Sequence, residues 1–331
     1  MKEALYYKFL PKEKTVQCLL CPHMCILSND EIGKCLSRKN LDGKLISLDY
    51  GNISSISFDP IEKKPLYHFF PTKKILSIGS WGCNFKCGFC QNWEISQQSC
   101  STSDTISSEQ LLLVAKKESK NIGIAYTYNE PLINIEFLLE TSKIFHENNL
   151  KNVLVTNGYI NKKPLLDILP YIDAANIDLK SFNKNFYEKY CDGKLEFVLK
   201  TIETFVENNK HIEITTLVIP QYNDSITEIK QIINFVSSLS KDIPLHFSKY
   251  YPQYKFSVSP TEENSLITYY KLAKEKLNYV YLGNIMDEKY NSTYCPNCNK
   301  KIISRRGYIT EIIGLNKNKC SYCNSEIKII L

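Results

Sequence analysis

Nothing in the first residues reads as a secretory signal. Met1 to Gln17 carries Lys2, Glu3, Lys8, Lys12, Glu13 and Lys14 with no apolar h-region among them. No uncharged run of about 18 apolar residues occurs, so no membrane span is expected. Internal repeats and low-complexity segments are absent too. These absences lead to the expectation of a cytoplasmic, non-repetitive globular protein. At 331 residues and 43% hydrophobic content, it can bury one large core of about 200–250 residues with small appendages.

The formal charge of +6 suggests a polyanion partner at first. The 13 cysteines weaken that reading. Metal-bound cysteines are thiolates. Two four-thiolate zinc sites and one three-thiolate iron–sulfur cluster would bring the chain close to neutral. Nucleic acid is therefore not an expected partner.

An odd cysteine count in a cytosolic protein argues against a disulfide framework and for metals or redox chemistry. The cysteines fall in three groups: Cys18/Cys21/Cys25/Cys35, Cys83/Cys87/Cys90 and Cys295/Cys298/Cys320/Cys323. Only Cys100 and Cys191 stand apart.

Three parts are expected along the chain. Residues 1–72 form a Cys-rich module with short β runs at Leu45–Leu48 and Ile53–Phe58. A stretch punctuated by Pro60, Pro65 and Pro71 closes it. Residues 73–290 alternate short apolar runs with helical periodicity. The runs are Ile75–Ile78, Ile122–Tyr126, Val153–Thr156, Ala174–Asp178, Ile212–Ile219, Leu245–Phe247 and Tyr279–Leu282. The helical segments include Glu109–Lys117, Ile133–Phe145, Leu195–Val206 and Ile226–Leu239. About six βαβ units imply an α/β fold, a partial (β/α)6 TIM-like barrel. Residues 291–331 read as a small metal-binding module of the zinc-ribbon kind.

In such a barrel, functional residues gather at the C-terminal ends of strands. Five polar clusters sit there: Trp81–Cys90, Thr127–Glu130, Thr156–Gly158, Asp178–Lys180 and His246–Lys249. Each has a plainer reading. Asn157-Gly158 is a frequent turn dipeptide, Asp178 and Lys180 suit a strand-end salt bridge, and a lone histidine is more often structural.

The deciding motif is Cys83-Asn84-Phe85-Lys86-Cys87-Gly88-Phe89-Cys90. Three thiolates hold three irons of a [4Fe–4S] cluster and leave the fourth iron open. This CxxxCxxC, with aromatic Phe89 before the last cysteine, resembles the cluster motif of the radical S-adenosylmethionine (SAM) superfamily. The resemblance implies that SAM chelates the open iron. One low-potential electron, from a donor such as flavodoxin or ferredoxin, then cleaves it to a 5′-deoxyadenosyl radical that abstracts a substrate hydrogen. It further implies that Thr127, Asn129 and Glu130 meet the SAM amino group, although the family's usual glycines are missing there. Lys180 beside Asp178 would meet the carboxylate, Thr156 and Asn157 the ribose, and His246 would also lie near SAM.

More narrowly, the chain is similar to the AmmeMemoRadiSam-system radical SAM enzymes, relatives of pyruvate formate-lyase activating enzyme. The similarity rests on Cys21-Pro22-His23-Met24-Cys25, Lys64-Pro65-Leu66-Tyr67-His68, Cys90-Gln91-Asn92-Trp93-Glu94-Ile95-Ser96, Thr215-Thr216-Leu217-Val218-Ile219-Pro220, Tyr281-Leu282-Gly283-Asn284 and Tyr294-Cys295-Pro296-Asn297-Cys298. It implies a pathway link to Memo-like proteins. It names no substrate.

The paired CxxC knuckles of the last group suit tetrahedral Zn²⁺, with a second iron–sulfur cluster as the alternative. The first group suits zinc or an auxiliary cluster, and His23 could replace a thiolate. Cys191 is read as a candidate hydrogen-atom donor or as a buried apolar residue. Arg305 and Arg306 read as a minor basic spot on a solvated face. Two other classes compete with the leading reading. A glycyl-radical activase needs a large partner protein. A zinc-ribbon nucleic-acid binder predicts no iron and leaves the barrel pattern unexplained.

Overall fold

The computed structural model describes residues 2–99 and 105–331, so Cys100 lies outside the described residues. Eight strands form one sheet: β1 (Ser55–Pro60), β2 (Lys74–Gly79), β3 (Asn121–Tyr126), β4 (Lys151–Thr156), β5 (Ala174–Asp178), β6 (His211–Val218), β7 (Leu245–Lys249) and β8 (Val280–Gly283). They lie in sequence order. β1 runs antiparallel to β2, and every later pair is parallel. β1 and β8 do not pair, so the barrel stays open.

Six helices make the crossovers: α1 (Ser108–Ala115), α2 (Ile135–Glu147), α3 (Lys162–Ile168), α4 (Leu195–Glu207), α5 (Ile226–Leu239) and α6 (Glu263–Lys274). Local chemistry sets their ends. Ser107 and Gln110 close a capping box on α1, and Ser225 accepts from the Glu228 N–H at the start of α5. Their apolar stripes cover the outside of the barrel. On α4, Leu195, Val198, Ile202 and Phe205 recur on one face and are buried.

The two faces of each strand differ. Leu76, Ile124, Leu154, Ala175 and Ile214 join the outer core under the helices. Ile75, Ala125, Val153 and Ala174 point inward and pack with Leu66 and Phe69. The segment carrying Tyr67 and His68 therefore fills the barrel from within.

The C-terminal residues fasten this plug. Ile330 exchanges backbone hydrogen bonds with His68 and Phe70. The His68 Nδ1–H donates to the Lys328 carbonyl, 2.7 Å, and Nε2 accepts from the Tyr281 hydroxyl, 2.6 Å. Burial pushes the His68 pKa down to about 4, so the ring is neutral at pH 7. A three-stranded sheet, Thr293–Tyr294, Lys301–Arg306 and Ile309–Ile312, forms the rest of that module. The expectation of a solvated Arg305 is overturned here. Arg305 is fully buried, whereas Arg306 is exposed. Neighbouring strand residues point to opposite faces, and Arg305 shares its face with buried Ile303.

Candidate active site at the barrel mouth

Residues 80–92 follow β2 and cross the open end of the barrel. Asn129 fixes their start. It accepts from Ser80 N–H at 2.9 Å and donates to Ser80 Oγ and the Gly82 carbonyl at 3.1 and 3.0 Å. Thr127 is buried at the end of β3 and its N–H donates to the Ile78 carbonyl. At the far side, Gly88 donates to the Tyr190 carbonyl and accepts from Lys255 N–H. A Cβ at Gly88 would stand 2.8 Å from the Phe256 ring, so only glycine permits this packing. Phe89 is buried between Phe186 and Phe256, with ring centroids 5.7 and 5.5 Å away.

The polar residues gather around the cysteines. Asn157 Nδ2 lies 3.6 Å from Cys83 Sγ and donates to Asn84 at 2.9 Å. Glu130 ties the loop after β3 to the turn after β4. It accepts from Thr156 Oγ1 and Asn157 N–H at 2.7 Å each, and from Leu132 N–H at 3.1 Å. Burial raises its pKa to about 7 against these donors. Lys180 Nζ pairs with Asp178 at 2.8 Å. Burial works against the charge on Lys180, but Asp178, then Cys87 and Cys191, raise its pKa well above the usual value. Cys191 ends the turn Tyr187–Cys191, a π-helical segment of the kind frequent at functional sites. Its thiol hydrogen-bonds Cys87, which with burial holds the Cys87 pKa well above the usual thiol value.

His246 stands in the same layer of the sheet as Asp178, two strands away through Thr215, and faces the plug. It is the second residue of β7, inside the barrel, with Nε2 2.7 Å from Glu213 and its ring beside Tyr67 and Tyr281. Burial raises the Glu213 pKa, but hydrogen bonds from His211 and His246 outweigh it and hold the carboxylate ionised. The structure thus brings Cys83, Cys87, Cys90, Glu130, Thr156, Asn157, Asp178, Lys180 and Cys191 to one mouth. His246 is level with Asp178 and hydrogen-bonds Glu213 on the plug side.

Sequence reasoning passed over two residues of the site. Asn84 bridges Asn157 and the Tyr159 carbonyl. Ser96 Oγ lies 3.2 Å from Cys90 Sγ. Ser96 was visible only as the last member of the Cys90–Ser96 motif.

The comparisons with known proteins agree with this geometry. A family model described as the Radical SAM superfamily matches residues 78–236. The chain is 42% identical to an uncharacterised protein of Methanocaldococcus jannaschii, covering 100% of both. A 4-hydroxyphenylacetate decarboxylase activating enzyme of Clostridium scatologenes is 26% identical over 49% of this chain and 54% of its own. The chain spans about half the length of that relative. A solved domain of a pyruvate-formate lyase-activating enzyme from Bacteroides vulgatus is 22% identical, with a TM-score of 0.43, covering 49% of this chain and 99% of that one. The chain belongs to the radical SAM superfamily, and it is an enzyme.

The residues at the mouth fit the family's [4Fe–4S] cluster and SAM. The three motif cysteines share the mouth with the mostly buried Lys180–Asp178 pair. Two buried polar atoms, Trp81 Nε1 and Thr215 Oγ1, have no partner. Trp81 is two residues before Cys83, and Thr215 pairs across the sheet with Asp178 and His246. Among the described residues, no helix is long and apolar enough to cross a membrane.

A pH dependence follows from two buried carboxyls. Glu130 and Asp49 both have pKa values raised to about 7, first by burial. Below pH 7 the folded state keeps protons that the unfolded chain has lost. Stability therefore falls as pH rises through the window from about 4.5 to 7 for Glu130, and from about 4 to 7 for Asp49. Each contributes on the order of 3 kcal/mol to that fall. His68, with its pKa lowered to about 4, works the other way over the same range, so denaturant unfolding at pH 5 and pH 8 should show a partial net drop, of which Glu130→Gln and Asp49→Asn should each remove about 2–3 kcal/mol. An unchanged drop in both variants would sink the assignment.

Proposed function

We propose that the mouth lined by Cys83, Asn157, Asp178 and Lys180 binds SAM, and that the resulting radical acts on a substrate entering at the same face. Cys83, Cys87 and Cys90 hold three irons of the cluster and leave the fourth for SAM. With SAM bound, the reduced cluster supplies reductive cleavage of the sulfonium bond to a 5′-deoxyadenosyl radical. The protein's part is placement. Lys180 presents a fixed cation to the SAM carboxylate. Glu130 holds the Thr156–Asn157 turn against the cluster loop, and Asn129 holds the loop's first residues. Phe89 seals the side toward Phe256. The observation that carries this reading is the Asn157 amide 3.6 Å from Cys83 Sγ, with the Lys180–Asp178 pair at the end of the neighbouring strand.

Binding of SAM, read from its effect on the electron paramagnetic resonance (EPR) signal of the reduced cluster, tests it. Lys180→Met should weaken binding about 10–100-fold, the worth of one charge-assisted hydrogen bond. Unaltered affinity would remove Lys180 from the SAM site.

The finer assignments rest on separate support. The four C-terminal sulfurs lie within 4.8 Å of one another, the spacing of one tetrahedral ion, and we assign Zn²⁺ there. One zinc per chain should persist after the iron is stripped. All described cysteines are free thiols, which suits the cytoplasm. Residues 1–72 and 291–331 then carry the two metal staples, with Ser55–Pro60 and Leu66–Phe69 built into the barrel itself. A low-potential donor of the flavodoxin or ferredoxin kind supplies the electron, and the product serves a pathway shared with a Memo-like protein. The name of the Clostridium scatologenes relative favours a second reading, activation of a partner protein. A glycyl-radical EPR signal on mixing with candidate partners would select it.

A further inference from the structure

The four N-terminal cysteines take no part in the site above. Cys18 ends the strand Val16–Cys18, Cys21 and Cys25 lie on the turn that follows, and Cys35 precedes the strand Arg38–Leu41. All four line one pocket, together with His23, Gly33 and Arg38.

Their spacing differs from that of the C-terminal group. There, Cys295 and Cys323 are 3.6 Å apart and Cys298 and Cys320 are 3.7 Å apart. A tetrahedral ion with bonds of about 2.3 Å sets its sulfurs about 3.8 Å apart, so those distances suit one ion. Among the described residues, no three N-terminal thiols come within 4.8 Å of one another. Neither do Cys83, Cys87 and Cys90, the set that the family gives to an iron–sulfur cube. Each cysteine of a cube binds a different iron, so its sulfurs stand a core's width apart. A Cβ at Gly33 would sit 3.9 Å from both the Cys25 and the Cys35 sulfur, so the Gly33 backbone lines the same pocket.

Ligand number is compatible with a cube, as it is with a single ion. His23 Nε2 donates to the Asn84 carbonyl at 2.7 Å, so that nitrogen is committed. Four thiolates fill all four irons of a cube and leave no open iron for a substrate. A saturated cluster of this kind carries electrons.

The module abuts the cluster loop. A Cβ at Gly82 would lie 2.2 Å from the Cys35 carbonyl oxygen, so Cys35 packs on the backbone next to Cys83. The His23–Asn84 bond makes a second contact, on the other side of Cys83. The opposite edge faces outward: Cys21 and Cys25 are partly exposed, and Met24 and Ile26 beside them are 37% and 61% exposed.

We propose that Cys18, Cys21, Cys25 and Cys35 hold a second [4Fe–4S] cluster that passes electrons to the cluster at Cys83, Cys87 and Cys90. One electron moves per event. A low-potential donor protein of the ferredoxin or flavodoxin class is oxidised as the N-terminal cluster goes from the 2+ to the 1+ state. That cluster returns to 2+ as the SAM-binding cluster is reduced from 2+ to 1+, and no proton or group is transferred. The relay rests on the radical SAM reading; the identity of the N-terminal metal does not.

The full chain with Cys83→Ala, Cys87→Ala and Cys90→Ala together, reconstituted anaerobically with iron and sulfide, tests the identity. About four irons and four sulfides per chain should remain, with a reduced EPR signal that SAM does not perturb. Two zincs and no iron would overturn the proposal. Cys21→Ser/Cys25→Ser tests the relay. The ratio of flavodoxin-driven to dithionite-driven 5′-deoxyadenosine formation should fall at least about tenfold, because only the protein donor must enter through the N-terminal edge. The ratio is insensitive to any loss of folded protein. An unchanged ratio would overturn the relay. Failure of the radical SAM reading looks different: the wild type would then make no 5′-deoxyadenosine with either reductant.

Discussion

Replacing any one of Cys83, Cys87 or Cys90 with alanine should take dithionite-driven 5′-deoxyadenosine formation to background, a loss of about 10³-fold or more. The size follows from ligand arithmetic. Three thiolates are the whole protein contribution to that cluster, and two do not hold it. Iron should fall by about four per chain in each variant. Cys87 is the informative position, because the buried Cys191 thiol lies against it. Cys191→Ala alone should keep the iron, since Cys191 ends a turn beside the cluster loop and is no part of the motif. Cys87→Ala/Cys191→Ala should then behave as Cys87→Ala alone, with iron and product both lost. Anaerobic iron analysis and product quantification read all of these. Full activity in any single motif variant would mean that the cluster sits elsewhere.

Much of the barrel was legible because its signals are local. The 226–239 helix has the bounds its periodicity predicts, and the strand at 174–178 likewise. A two-residue alternation or a helical stripe needs only neighbours in the chain to be read. The cluster motif was legible for the same reason, and the strand-end rule brought Glu130, Asn157 and Lys180 to it. The contacts of His246 were not legible because its partners do not lie nearby in the sequence. Glu213 accepts from it across the sheet, and Tyr67 reaches it from the plug. Metal type at the end groups was not legible either. Both offer four cysteines in short motifs, and the four C-terminal sulfurs gather within 4.8 Å of one another, a closeness the spacing of the motifs alone does not reveal.

Arg305→Met should destabilise the protein by about 3–5 kcal/mol, the cost of breaking a buried charged network from one side. The guanidinium donates to the Tyr67 carbonyl and Thr293 Oγ1 at 2.7 Å each, and to the Asn291 carbonyl at 3.3 Å. Its plane stacks 4.3 Å from the centre of the Tyr67 ring, and Glu62 lies 4.0 Å from Nε. Methionine fills much of the volume but leaves three acceptors unmet and a buried carboxylate without its cation. The damage should be local in the first instance. Tyr67 and His68 belong to the segment that fills the barrel, and His68 is held in turn by the C-terminal Lys328. Amide exchange should therefore rise in 64–72 and 291–331 before the helices loosen. Lysine should rescue little, because one ammonium cannot reproduce the planar fork. Cluster iron should be retained below the lowered melting temperature, since the cluster loop is anchored at the opposite end of the strands. If Arg305→Met stayed within about 1 kcal/mol of the wild type in denaturant unfolding, the plug would not depend on this clamp. The C-terminal module would then be an appendage rather than the closure of the barrel.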